Sequence, residues 1–120
     1  MTSAAAPLAA EHEALWMLGY FYLRNAHPDK AATLFAALDR LQPDRPQWLR
    51  ALALAQIRAG KPDRALAALD RLALAGAVDD AFHLLRAQAL AALDRHAEAG
   101  AAMRAWLDAR PAADPHRKDA

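Results

Sequence analysis

Asp79 and His83 are four residues apart, the spacing that places two side chains on one face of a helix. A carboxylate and an imidazole so placed are half of a metal site, but no third ligand recurs nearby. His12 stands between Glu11 and Glu13, and His96 two residues before Glu98. Acids at such places suit the first turn of a helix. These three are the only glutamates, and they are dispersed. Ser3, Thr2 and Thr33 are the only hydroxyl residues of the Ser/Thr type, which leaves almost no candidate for serine or threonine covalent catalysis. The absence of cysteine excludes a thiol nucleophile, a thiolate zinc site and a disulfide framework. Gly19, Gly60, Gly76 and Gly100 are too scattered to cradle a phosphate. Twelve arginines are offset along the chain by eleven aspartates, and the net charge of +1 gives no field for nucleic acid or an anionic membrane. The expected protein is not an enzyme, holds no metal or cofactor, and has no nucleic-acid partner.

What remains to be positioned is apolar. Of 120 residues 35 are alanine and 19 leucine, while the β-branched set is Thr2, Thr33, Ile57 and Val78. Alanine, leucine and arginine are strong helix formers, and so few β-branched residues cannot build a sheet, so the fold class is all-α. The length fits one domain. The most apolar stretch, Ala14 to Tyr22, is nine residues, against the roughly twenty that cross a bilayer. No membrane insertion is expected. The start, Met-Thr-Ser-Ala-Ala-Ala-Pro, lacks the basic region and apolar run of a signal peptide, so a cytoplasmic location is expected.

Pro28-Asp29-Lys30-Ala31 returns 34 residues later as Pro62-Asp63-Arg64-Ala65. Repeats of 34 starting at His12, Pro46 and Asp80 place small residues at position eight (Gly19, Ala53, Ala87) and position twenty (Ala31, Ala65, Ala99). Large residues fall at position twenty-four (Phe35, Leu69, Met103), and prolines near the end of the first and third repeats (Pro43, Pro111). This resembles the tetratricopeptide pattern, in which small residues let the two helices of a hairpin approach and large ones fill around them. The register predicts helices over 12–25, 28–41, 46–59, 62–75, 80–93 and 96–109, in repeats 12–45, 46–79 and 80–113. Three hairpins stacked as a short right-handed superhelix follow, occupying 10–110 between a disordered tail at 1–9 and a polar tail at 111–120. Pro28, Pro46 and Pro62 suit first-turn positions, Gly60 a helix end, and Asp79 the cap of the fifth helix.

Such an array lines its concave face with the first helix of each repeat. Positions five, six, nine, twelve and thirteen are expected to point into it. They give Trp16, Met17, Tyr20, Leu23 and Arg24, then Arg50, Ala51, Leu54, Ile57 and Arg58, then Leu84, Leu85, Gln88, Ala91 and Ala92. The groove is apolar with arginines at its edge, which fits an amphipathic helix or an extended apolar segment. Met103, Trp106 and Leu107 on the last helix form a possible second interface, because nothing in the following Pro-Ala-Ala-Asp-Pro can shield them. A chain with so much unpaired apolar surface is expected to need an obligate partner or to form a dimer. His83 takes the large packing position four, so packing rather than metal binding is its expected role.

From Leu15 to Asp108 the layout resembles the small tetratricopeptide chaperones of type III secretion, of the YscY type. The resemblance rests on Leu18-Gly19-Tyr20-Phe21-Tyr22-Leu23, the turn Ala26-His27-Pro28, the helix ending Leu38-Asp39-Arg40-Leu41-Gln42-Pro43, two further repeats, and the overall length. It implies a cytoplasmic chaperone that holds a small secreted component of the YscX type and engages the export gate with it; the unshielded apolar surface adds the expectation of a homodimer as one way to cover it when cargo is absent. Repeat geometry makes Trp16, Met17, Tyr20, Leu23, Leu54, Ile57 and Leu85 the expected contacts, with Arg50 and Arg58 pairing acidic cargo positions. The alternative is a generic tetratricopeptide interaction scaffold, with self-association as one of its modes.

Overall fold

Prolines set three of the helix starts. Pro28 opens α2 (Pro28–Leu41), Pro46 opens α3 (Pro46–Arg58) and Pro62 opens α4 (Pro62–Leu74). Each stands in the first turn, where a missing N–H costs no helical bond, and none of the three helices has a side-chain cap. For α5 (Asp80–Ala92) the cap is Asp79, whose Oδ1 accepts the Phe82 N–H at 3.0 Å. At the start of α6 (His96–Ala109), Arg95 donates two hydrogen bonds of 2.8 Å to the Glu98 carboxylate. The first helix, α1 (Ala5–Arg24), begins seven residues before the expected start at residue 12. Alanine-rich sequence favours helix, and Pro7 is tolerated in a first turn. These six helices account for residues 5–111, which the computed structural model describes, with side chains from Ala10 onward; no strand occurs among them. Of the expected tails at 1–9 and 111–120, residues 1–4 and 112–120 lie outside the described residues.

Each hairpin reverses in the same way. Ala26, Gly60 and Asp94 fall at position fifteen of successive repeats and have φ of 63°, 77° and 59°. The next amide (His27, Lys61, Arg95) donates to the carbonyl five residues back (Tyr22, Gln56, Leu90) at 2.9, 2.8 and 2.9 Å. This is the bond that closes a helix through a left-handed residue. Glycine does so without a Cβ penalty; Ala26 and Asp94 do so against it.

Successive helices pack on one another, α3 also reaches α5, and the described residues extend over 52 × 38 × 30 Å. In the first hairpin the approach is closest at Gly19. A Cβ there would lie 2.5 Å from a ring carbon of Phe35, so the phenyl ring occupies the space a side chain would need. Ala53 and Ala87 hold the same position in the later hairpins, whose position twenty-four carries the smaller residues Leu69 and Met103.

The core is three clusters rather than one. Trp48, Ala51 and Ala55 of α3 share the first with Phe35 and Leu38 of α2. Phe82 and Ala89 of α5 share the second with Leu69 and Leu72 of α4. The third has only Ala87, Leu90 and Ala102 fully buried. Trp48 and Phe82 are buried at position three, a place the repeat pattern did not mark.

A polar clasp joins the first two hairpins. Arg71, late in α4, donates to both oxygens of Asp39 at 2.7 and 2.8 Å, and to Asp44 Oδ1 at 2.8 Å. The Asp44 N–H donates to Asp39 at 3.1 Å, with Asp44 itself held at φ 64°. Asp39 is buried. Desolvation works to raise its carboxyl, but the Arg71 bonds, the Asp44 amide and the charges of Arg71 and Arg40 outweigh it and hold the group below the ordinary value. Arg71 is raised in turn, chiefly by its bonds to Asp39 and then Asp44.

Candidate partner-binding groove

Trp16 and Tyr20 are four apart on α1 and meet edge to face, their ring centroids 4.6 Å apart at 76°. Trp16 also lies 5.4 Å from the Phe35 ring and 5.1 Å from Trp48, and Tyr20 lies 5.5 Å from Phe35. Rings from α1, α2 and α3 thus form one cluster at offset and edge geometries, which aromatic pairs prefer. Its outer members remain accessible. Trp16, Met17, Tyr20, Phe21, Arg24 and Asn25 line an open cleft of about 630 Å³. Beneath them Trp48 is buried, with its Nε1 finding no protein acceptor.

The other expected groove residues divide. Leu54 is half-buried and packs against the first cluster, while Ile57 and Leu85 pack against the second. Leu84 is half-buried; Arg58 and Gln88 are exposed. Leu23 is a correction: it is buried in the first cluster and offers no surface to a partner. At position six, Ala51 is buried with Phe35 and Leu85 packs with Leu69, so this position faces the preceding repeat rather than the groove. Met17 shares that register position and is exposed. Arg50 is also already engaged. Its Nη2 donates to Asp79 Oδ2 at 3.0 Å, so one carboxylate both caps α5 and ties α3 to it. His83 is half-buried and meets Phe82 edge to face at 5.3 Å, and Asp79 is occupied by Arg50 and the cap. Among the described residues no group of three ligand-type side chains converges.

On the last helix Met103 and Leu107 are exposed, and Trp106 is half-buried with the Arg110 guanidinium over its ring at 4.8 Å. Phe21 and Trp48 are the residues the repeat pattern underrated. The available signal was position three, aromatic in two repeats (Trp48, Phe82) and small in the first (Ala14). No described helix is long and apolar enough to cross a membrane.

A tetratricopeptide repeat family model matches residues 50–114, from α3 past the end of α6, which is more than half of the chain. No curated protein matches it.

Proposed function

Because the chain belongs to the tetratricopeptide repeat family, we propose that it works by holding an apolar segment of another protein, without catalysis. The carrying observation is the accessible aromatic wall of Trp16 and Tyr20, in the cluster that Leu54 packs against. Rigid aromatic side chains contribute large contact area at low entropic cost. An amphipathic helix laid along α1 and α3 would place its apolar residues against Trp16, Tyr20 and Leu54.

The partner is a small secreted component of a type III apparatus, similar to the YscX type, held in the cytoplasm until it is passed to the export gate. The residues quoted for the YscY resemblance and the apolar groove support this identification. Shielding an otherwise aggregating helix is then the whole of the chemistry, and it needs no cofactor. Of the two arginines expected to meet acidic cargo positions, exposed Arg58 takes that role, Arg50 being paired to Asp79.

Co-expression with the candidate cargo tests this. Wild-type chain is expected to raise cargo solubility and to co-purify with it, while Tyr20→Arg and Leu54→Arg keep their helical circular dichroism and lose the cargo. Unchanged co-purification of both variants overturns the groove assignment. Genes of a secretion apparatus beside this one support the specific partner over a general scaffold.

A further inference from the structure

We propose that copies of this chain stack head to tail, the outer face of α1 in one copy seating on the outer face of α6 in the next. The contact would repeat the one that already joins hairpins within the molecule.

The register carries the argument. Each second helix receives the next first helix at position twenty-four, where Phe35 is 0% exposed beneath α3 and Leu69 is 1% exposed beneath α5. Met103 holds that position in α6 and is 37% exposed. The slot has the same place in the repeat and is open. Each first helix docks backward through positions three, six and ten: Trp48, Ala51 and Ala55 in α3, and Phe82, Leu85 and Ala89 in α5. In α1 these positions are Ala14, Met17 and Phe21, and Met17 and Phe21 are 64% and 57% exposed. Among the described residues there is therefore one unfilled receiving face and one undocked inserting face.

Their volumes match. Successive helices run antiparallel, so the late part of a first helix meets the early part of the second helix before it. In that register Phe21 stands opposite Gly100, Met17 opposite Met103, and Ala14 opposite Leu107. The large residue of one side meets a small one of the other at both ends. Gly100 is an independent pointer. A glycine inside a helix weakens it, and Gly19 is required by the Phe35 ring, but a Cβ at Gly100 would meet nothing closer than the Arg104 side chain at 3.7 Å. Nothing within the described chain needs Gly100 to be small; a seated Phe21 would.

Such a contact uses two different patches and repeats the stacking step of a superhelix, which advances along its axis rather than closing into a ring, so growth is open-ended. Sedimentation of the full chain over a hundredfold concentration range is expected to give a mass that keeps rising. Phe21→Glu removes the inserting face and Met103→Glu the receiving face. Each alone is expected to sediment as one chain with unchanged helicity, and an equimolar mixture as two, joined by the remaining good pair of faces. Met17→Glu and Leu107→Glu form a second pair if either first variant loses helicity. A wild-type chain that stays monomeric, a Met103→Glu chain that still associates through α1 alone, or a mixture that stays at one-chain mass each overturns the proposal. Tyr20→Arg is expected to leave the self-association unchanged, so this inference and the groove reading fail separately.

Discussion

The first and third hairpins share a register and differ in filling. In the first, Phe35 lies under α3 and presses on Gly19, with Trp16 and Trp48 closing around it. In the third, the corresponding Met103 is exposed, and only Ala87, Leu90 and Ala102 are buried in its own cluster, Phe82 and Ala89 being buried with α4 instead. Small-to-small contacts are enough to hold two helices in register, but the large residue at position twenty-four decides how much apolar surface each hairpin buries. The joints differ as well. Position twenty-eight is Asp39 in the clasp with Arg71, then Ala73, then Leu107. The array is tied at its first joint and open at its last face.

The largest effect should come from that one register position. Phe35→Ala is expected to cost about 3–5 kcal/mol, whereas Met103→Ala, at an exposed site, should stay within about 0.5 kcal/mol. Urea unfolding measures both, and equal costs would break the comparison. Gly19→Ala is expected to cost about 1–3 kcal/mol by overpacking against Phe35. Adding Phe35→Leu should return part of that loss, because the pair then becomes the Ala53 and Leu69 pair of the second hairpin. A double-mutant cycle with no coupling would show that the ring does not set the approach of α1 and α2.

Next is the clasp. Arg71→Met leaves the buried Asp39 carboxylate without its charged donor and is expected to cost about 1–3 kcal/mol, at the lower end because Arg71 is partly exposed. Asp39 has a folded pKa below its unfolded value. Its contribution is therefore fully present above the ordinary carboxylate value of 3.8 and is lost as pH falls through the lower folded one. The stability gap between wild type and Asp39→Asn should be constant from pH 5 to 7 and close at acid pH; a gap that widens on acidification contradicts the assignment. The smallest effects are expected at position fifteen. Ala26→Gly should stabilise by about 0.5–1 kcal/mol, and Gly60→Ala destabilise by about as much, read from the same unfolding curves.

Much of the backbone was legible in the sequence because its punctuation is local. Pro28, Pro46 and Pro62 fix three starts, Asp79 a fourth, and the 34-residue offset carries those bounds around the chain. The ends of α1, α3, α4 and α5 fall one residue short of the expected ones. The start of α1 was not legible, since Ala4 to Ala6 and Pro7 read equally as a tail or a first turn. The groove was legible only as a face. Trp16 and Tyr20 come together because four-residue spacing guarantees it. Leu23 turns inward because it borders the next hairpin. The pairing of Arg50 with Asp79 and of Arg71 with Asp39 joins residues 29 and 32 positions apart, which no local pattern encodes.

The placement of the three tryptophans makes the chain its own spectrometer. Trp16 and Trp48 lie with ring centroids 5.1 Å apart in the first cluster, while Trp106 stands on α6 beneath Arg110. Indoles that close couple their electronic transitions, so the near-ultraviolet dichroism should carry the signal of the first hairpin and its joint with the second. The emission of Trp106 should respond to the last helix. A Trp106→Phe chain and a Trp16→Phe chain would then watch opposite ends of one array melt, or fill, in the same cuvette.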